Sequence, residues 1–215
     1  MGRLVSALGR PGIRQRLEHP DPEKRLWITP LLDERRQLGR GAVDLRLGTE
    51  FLILQRFQSS GLRPSEDDQG MLDAMQERVI VPVGEELWLH PRQFVLAATL
   101  EYLALPEDIS ACVVGRSSWG RLGLLVATAI FVHPGFHGCL TLELVNEGDA
   151  PIRLSPGMRI AQLMLDELDE SAPAERREND KYRAPVGPQP SQLASEAREF
   201  RRLTRLGKNL RSRLG

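Results

Sequence analysis

Cysteine is scarce in this sequence. Two cysteines, Cys112 and Cys139, occur among 215 residues, far apart and outside any C-x-x-C pair. Neither a disulfide framework nor a cysteine zinc site is therefore indicated. We expect both cysteines to be small, buried apolar residues.

Long apolar runs are also missing. No run approaches the roughly 18 residues that a membrane-spanning helix needs. The N-terminus lacks the apolar core of a secretory signal. The sequence thus predicts a cytoplasmic protein that makes no membrane contact.

The sequence also carries no net charge. The 29 Lys and Arg residues balance the 29 Asp and Glu residues, so no overall field attracts nucleic acid, which we do not expect as a partner. Only the C-terminal tail, residues 191–215, departs from this balance, with seven basic and two acidic residues. The simplest reading of this tail is a solvated basic helix.

What the sequence does contain is a series of short β-like runs. After Gly41 they recur about every ten residues, with Gly and Pro between them, and AVDLRLG and EFLILQRF are the first two. This spacing is typical of an all-β sandwich, barrel or jelly roll rather than of alternating strands and helices.

The length fits one domain with appendages. We predict a domain over residues 1–190, with short helices in a segment of about 1–40 and an extended arm at about 166–190. The arm is polar and contains several prolines, so we expect it to become ordered over a ligand or a neighbouring subunit. Residues 191–215 form a basic amphipathic tail, in which SQLASEAREFRRLTRLGK should be a short helix. SSGLRPSEDDQG should be an exposed loop.

A first motif, VGRSSWGRLG, runs from Val114 to Gly123 between two apolar runs. Its two arginines bracket two serines, and its glycines allow close backbone approach. Hydroxyl donors and fixed positive charge would thus be within reach of one polyanion. Loops held by a rigid β scaffold are the usual place for binding groups.

A second motif, GCLTLELVN, is a strand-like run with Glu143 in its middle. Alternation places Leu140, Leu142 and Leu144 on one face of the strand and Thr141, Glu143 and Val145 on the other. On this local pattern alone, Glu143 would simply face water.

Longer stretches carry a family resemblance. LHPRQFVLAATLEYLALPEDISACVVGRSSWGRLGLLV, followed by HPGFHGCLTLELVNEGDAPIRLSPGMRIAQLML, closely resembles the dCTP deaminase family of the dUTPase-like superfamily. VDLRLGTEF is similar to the family's N-terminal strand signature, and RRENDKYR is similar to its C-terminal arm. The resemblance covers roughly residues 44–191.

The resemblance implies a mainly β, dUTPase-like fold, a distorted jelly roll or β-barrel, which assembles as a homotrimer with active sites shared between subunits. The implied reaction is zinc-independent hydrolytic deamination of a deoxynucleotide triphosphate, dCTP, to dUTP and ammonia. Mg²⁺ would accompany the triphosphate. The sequence independently agrees that no zinc takes part, because the H-x-E and P-C-x-x-C signature of zinc deaminases is absent.

The resemblance also implies roles for individual residues. A desolvated glutamate has a raised pKa and can pass protons from water to the base and the departing amine, and this role falls on Glu143. Ser117 would hold the water. The remaining residues would bind the nucleotide or support developing charge: Arg116, Ser118 and Arg121 at the triphosphate, the backbone around Thr141 and Leu142 at the base, and Lys181 in the closing arm.

Three positions depart from the family pattern. His133 stands where an aspartate usually precedes Pro-Gly; in dUTPases that aspartate activates water, and in the deaminases it helps to hold the sugar. His133 therefore argues against hydrolysis of dUTP, and its near-neutral pKa makes it a candidate sugar or phosphate ligand. In the arm, Ala174 replaces a family tyrosine and Pro185 replaces a family glutamine.

Two alternatives stay open on the sequence. The first is a dUTP diphosphatase, alone or bifunctional with deamination. The second is a non-catalytic nucleotide-binding or regulatory homologue, which the presence of Arg116, Ser117, Arg121 and Glu143 disfavours.

Overall fold

The computed structural model describes residues 6–55, 73–169, 184–192, 201–202 and 204–205. The chain divides into two compact units. One comprises Met1–Ile53 and Arg78–Gln189, and the other comprises Leu54–Glu77 and Pro190–Gly215. The domain division predicted at residue 190 stays a prediction.

Short elements occupy the N-terminal segment of the first unit, as predicted. They are β1 (Ser6–Ala7), α1 (Arg10–Leu17), β2 (Trp27–Thr29) and α2 (Glu34–Gln37). Pro11 lies in the first turn of α1, where its missing N–H costs nothing. The side chain of Asp33 caps α2 by accepting a hydrogen bond from the Arg36 amide.

A ten-stranded sheet forms most of the first unit. Its longer strands are β3 (Val43–Leu54), β6 (Phe94–Ala104), β7 (Ile109–Gly115), β10 (His137–Asn146) and β12 (Arg159–Glu167), and its shorter ones include β4 (Gln76–Ile80), β8 (Leu124–Val126) and β9 (Phe131–Val132). The strand order is β8-β10-β6-β3-β12-β7-β9, with β1 beside β12, β2 beside β6 and β4 beside β3. A separate two-stranded sheet joins β5 (Leu87–Leu89) to β11 (Ile152–Leu154). The predicted mainly β fold is confirmed.

The predicted break between AVDLRLG and EFLILQRF is absent, because Val43–Leu54, which contains most of both runs, is the single strand β3. The pairing register between β3 and β6 shifts between Leu47 and Phe51, so the glycine between the runs marks a β-bulge. A Cβ at Gly48 would lie 3.0 Å from the carbonyl oxygen of Ala98, which explains why a glycine stands there.

The sheet curls so that β7 and β8 meet. They are far apart in strand order, yet only residues 116–123 connect them. A Cβ at Gly115, the last residue of β7, would lie 3.1 Å from a methyl group of Val126 in β8. The VGRSSWGRLG motif therefore forms a tight connection between two strands, as predicted, and it contains the single helical turn α3 (Ser117–Gly120).

β10 lies in the sheet between β8 and β6 and follows the predicted alternation. Leu140, Leu142 and Leu144 are buried in the hydrophobic core, whereas Thr141 and Glu143 on the other face are half-buried. The polar face is therefore neither core nor open surface.

A second bulge lies opposite β10, in β6. The pairing moves from Cys139 with Tyr102 to Thr141 with Ala98, so β6 has extra residues at this point. Buried Thr99 compensates, because its hydroxyl accepts a hydrogen bond from the Leu140 amide and donates one to the Glu101 carbonyl.

The described part of the second unit is small. Gln55 hydrogen-bonds through its amide to the Met75 carbonyl and through its side chain to Glu77. Arg201, Arg202, Thr204 and Arg205 are helical, as predicted for the tail, whereas the predicted loop SSGLRPSEDDQG lies outside the described residues. Within the described parts of the chain, none of the helices is long and apolar enough to span a bilayer.

Candidate active site

Glu143 is presented by a rigid strand. Its amide donates to the hydroxyl of Thr128 at 2.8 Å, and its carbonyl accepts from the Ala127 amide at 2.7 Å. On its other side the strand pairs with β6, where Leu96 is opposite Glu143. The backbone of Glu143 is thus held from both sides while its side chain is free to act at the half-buried face.

Burial changes the acid–base character of this group. Desolvation raises the pKa of the Glu143 carboxyl above its ordinary value. A raised pKa makes the carboxylate a stronger base and favours its protonated form, and a residue that acts as both general base and general acid needs both properties.

The outer edge of β10 offers backbone groups beside Glu143. This edge is the one that faces away from β6. The backbone groups of Glu143 and Cys139 point towards it, and there the Cys139 amide donates to the Pro185 carbonyl at 2.7 Å. Alternation therefore directs the backbone groups of Thr141 to the same edge and those of Leu142 towards β6. The side chain of Leu142 is fully buried.

Residues 184–189 lie along this edge next to Thr141. The Gln189 amide donates to the hydroxyl of Thr141 at 3.1 Å, and the Gln189 side chain bonds the Gly187 carbonyl. A Cβ at Gly138 would collide with the ring of Pro185. The end of the predicted arm therefore packs on the strand of Glu143, whereas Lys181 and Ala174 lie outside the described residues.

Arg116, at the start of the connection between β7 and β8, is held by neighbouring strands. Its amide donates to the Ile160 carbonyl, and its guanidinium donates to the Arg159 carbonyl at 3.2 Å. Its Nε lies 3.5 Å from the carboxylate of Asp44 in β3. This arginine is partly buried and its orientation is fixed.

The other polar residues of this connection are exposed. Ser117 and Ser118 open α3, and Arg121 follows it, with its amide bonded to the Ser117 carbonyl. Trp119 packs against the core and donates its indole N–H to the Arg159 carbonyl at 2.9 Å. The motif thus exposes two hydroxyls and a guanidinium on a turn that Trp119 anchors.

His133 is exposed just after β9. Its ring stacks edge-to-face on Phe131 with centroids 4.9 Å apart, and its carbonyl accepts from the Phe136 amide. In the described part of the chain, His133 is therefore a surface residue that lies beside the turn at Gly135.

The two parts of the candidate site flank β8. Residues 116–123, the serine-arginine turn, precede Leu124, whereas Ala127 and Thr128, just after β8, bond Glu143. Three strand residues span about 10 Å. Among the described residues, no hydrogen bond or ion pair joins the serine-arginine turn to Glu143 within one chain.

A profile of the family described as dCTP deaminase-like matches residues 8–168. The chain belongs to this dCTP deaminase-like family. It is 45% identical to the dCTP deaminase of Natronomonas pharaonis, covering 87% of this chain and 94% of that one. It is 43% identical to a protein of Halobacterium salinarum named dCTP deaminase, dUMP-forming, covering 81% and 90% of the two chains.

A solved structure supports the fold of this family member. The crystal structure of 2′-deoxycytidine 5′-triphosphate deaminase from Agrobacterium tumefaciens matches with a TM-score of 0.58 and 24% identity, covering 77% of this chain. This chain spans 47% of the Agrobacterium chain. The match confirms the fold that the resemblance implied.

Sequence reasoning missed several residues around the site of this deaminase-family chain. Asp44 was read only as part of a strand, although it contacts Arg116. Gln189 was not singled out, although it bonds Thr141. Buried Glu101 accepts hydrogen bonds from the side chain of Gln37 and from the Arg46 amide. The only feature of the sequence that points to Glu101 is its charge within a long apolar run.

Proposed function

We propose that this protein is a hydrolase that removes the amino group from the cytosine of dCTP, with Glu143 as general base and acid. The observation that carries the proposal is the half-buried carboxyl of Glu143, with its raised pKa, on an anchored strand. Membership of the dCTP deaminase-like family and the names of the relatives support dCTP as the substrate.

The proposed reaction needs two proton relays through Glu143. First, the carboxylate takes a proton from water as the water oxygen bonds to C4, and this proton passes to N3 of the cytosine. Then the proton of the new C4 hydroxyl passes through Glu143 to the amino nitrogen. The C4–N bond breaks, ammonia leaves and a C4 carbonyl remains, so one water is consumed for each ammonia released.

The nucleotide would be held on both sides of β8. The outer edge of β10 offers the backbone of Thr141 to the base, with Leu142 behind it in the core. Ser117 would position the water, and Arg121 would support developing charge. Further contacts are proposed for the triphosphate at Arg116 and Ser118, for the sugar at His133, and for the closing arm at Lys181.

We propose that the active sites are shared between subunits of a homotrimer. Two observations support sharing. The serine-arginine turn and Glu143 flank β8 without a described contact, so a turn from a neighbouring subunit could complete each site. Large apolar side chains in and just after the turn are also exposed, Leu122 at 61% and Leu125 at 48%, as expected for a surface that a second copy covers.

Mg²⁺ would enter with the triphosphate rather than on the protein. In the described parts of the chain, no group of three or more His, Cys, Asp or Glu side chains could hold a metal ion. The residues of the serine-arginine turn instead provide hydroxyls and positive charge, which suit phosphate oxygens. Bound to the phosphates, Mg²⁺ would neutralise part of their charge.

The product distinguishes two candidate functions. His133 at the position of the family aspartate favours dUTP as the final product. The relative named dUMP-forming favours a second candidate, in which the triphosphate is also cleaved to give dUMP and pyrophosphate.

Incubation of the purified protein with dCTP and Mg²⁺ tests the proposal. We expect ammonia and dUTP in equal amounts, measured by an ammonia assay and by ion-exchange chromatography. Pyrophosphate and dUMP would instead establish the second candidate. Tight binding of dCTP without ammonia release would contradict both and identify a nucleotide-binding homologue.

A further inference from the structure

Asp44 is a buried carboxylate that contacts two arginines. Its side chain is 8% exposed, in the first half of β3. One oxygen, Oδ2, accepts from Arg159 at 2.9 Å and lies 3.5 Å from Nε of Arg116. The other oxygen, Oδ1, accepts from the side-chain amide of Gln162 at 2.8 Å. Both oxygens are therefore engaged, and the carboxylate has little freedom to move.

The guanidinium of Arg116 is held at two of its three nitrogens. Nε faces Asp44, and Nη1 donates to the Arg159 carbonyl. The Arg116 backbone is fixed as well, since its amide donates to Ile160. Among the described residues, Nη2 of Arg116 has no hydrogen-bond acceptor, and the side chain remains 25% exposed. Nη2 is thus the nitrogen that remains available to a ligand.

The charges favour an anionic ligand. One carboxylate faces the two guanidiniums of Arg116 and Arg159, so the three side chains together carry about one net positive charge. A neutral residue in place of Asp44 would leave two arginines in mutual repulsion with less to orient them. The carboxylate therefore allows two cationic side chains to stay close together in fixed positions.

We propose that Asp44 is a positioning residue, which orients Arg116 so that its free Nη2 meets the triphosphate of the nucleotide. Gln162 and Arg159 fix the Asp44 carboxylate, and Asp44 in turn fixes Arg116. This inference rests on the proposed function of Arg116 as a triphosphate ligand, and it assigns Asp44 no contact with the substrate.

The test is a double-mutant cycle on triphosphate binding. Inorganic tripolyphosphate and dCTP would be titrated calorimetrically into the wild type, Asp44→Asn, Arg116→Ala and the double variant. Asp44→Asn should weaken tripolyphosphate binding and raise KM for dCTP about tenfold or more, as expected for a lost charge-assisted bond, with little change in kcat. In the Arg116→Ala background, Asp44→Asn should change binding less than twofold.

Two further variants complete the design. Glu86→Gln is the matched control, because it removes a carboxylate that also pairs with an arginine, Arg153, outside the site; it should leave binding unchanged. Gln162→Ala frees the Asp44 carboxylate without touching Arg116, and it should weaken tripolyphosphate binding in the same direction by a smaller factor. It also supplies the test if Asp44→Asn does not fold.

Equal weakening by Asp44→Asn with and without Arg116 would overturn the inference. So would a lower Tm with unchanged binding, which would mark Asp44 as structural only, or a wild type that binds no tripolyphosphate. Binding needs no turnover, so a chain that binds triphosphate but releases no ammonia would refute the proposed reaction alone.

Discussion

At the scale of single residues, Glu143 combines two properties that rarely meet in one carboxyl group. Its side chain stands on the polar face of a strand, as alternation predicts, yet that face is half-buried and raises its pKa. An exposed glutamate would be fully ionised at neutral pH and a poor proton donor. The environment of Glu143 suits it to both halves of a proton relay.

Replacing this carboxyl should stop the chemistry but not the binding. Glu143→Gln keeps the shape of the side chain and removes its proton-transfer capacity, so kcat for ammonia release from dCTP should fall by about 10²- to 10⁴-fold. Affinity for dCTP should change little. Glu147→Gln changes an exposed carboxylate just after the same strand; it serves as the control and should retain wild-type kcat. Comparable activity in Glu143→Gln would assign the general base elsewhere.

The raised pKa of Glu143 predicts the acidic limb of the pH–rate profile. The base form is the carboxylate, so kcat must fall as the pH drops through the raised pKa of Glu143. This limb should therefore lie above about pH 4.3, the ordinary pKa of glutamate. Steady-state kcat measured from about pH 4 to pH 8 would locate it. A limb at or below about pH 4.3 would show that the titrating base is an ordinary, solvated carboxyl.

At the scale of elements, β10 is supported on both edges. β6 pairs with one edge, and a bulge there is compensated by the Thr99 hydroxyl. On the other edge, residues after β8 hold Glu143, and residues 184–189 hold Cys139 and Thr141. The strand that carries the proposed catalytic group is thus fixed on both sides.

The Thr141 hydroxyl should tie the end of the arm to this strand. Thr141→Val removes the acceptor of the Gln189 amide at nearly constant side-chain volume. Hydrogen exchange of the segment around Gln189 should become faster, and KM for dCTP should rise modestly. Thr49→Val in β3 is the control, because the Thr49 side chain has no hydrogen bond among the described residues. Unchanged exchange near Gln189 would show that the arm is held by other contacts.

Local pattern predicted much of β10 but not what surrounds it. The period of two placed Leu140, Leu142 and Leu144 in the core correctly, because that pattern depends only on strand geometry. The pairing of Asp44 with Arg116 could not be predicted, because it requires β3 and β7, which are distant in sequence, to lie on either side of β12. Bulges such as the one at Gly48 could not be predicted either, because a glycine between apolar runs indicates a turn as readily as a bulge.

At the scale of the whole molecule, family resemblance supplied what local pattern could not. The pairing of VGRSSWGRLG with GCLTLELVN pointed to the dCTP deaminase family, to which the chain belongs. Local periodicity alone would have left Glu143 on a solvated face. The structure explains the difference in physical terms, because burial by neighbouring elements, not the strand pattern itself, determines the environment of the carboxyl.

The proposed homotrimer would bring together groups that lie apart within one chain. Within one chain, the turn carrying Ser117 and Arg121 and the strand carrying Glu143 are separated by β8. A site shared between subunits would explain this separation. The neighbouring subunit would also cover the exposed apolar side chains near the turn. We therefore expect one nucleotide to contact two copies of the protein.

The most direct measurement is a crystal structure of the Glu143→Gln variant with dCTP and Mg²⁺. We predict that the cytosine amino group lies within hydrogen-bond distance of the side chain at position 143. We also predict that the triphosphate binds Arg116, Ser118 and Arg121 of a neighbouring subunit. A cytosine bound away from position 143, or a triphosphate that does not contact the serine-arginine turn, would contradict the central claim.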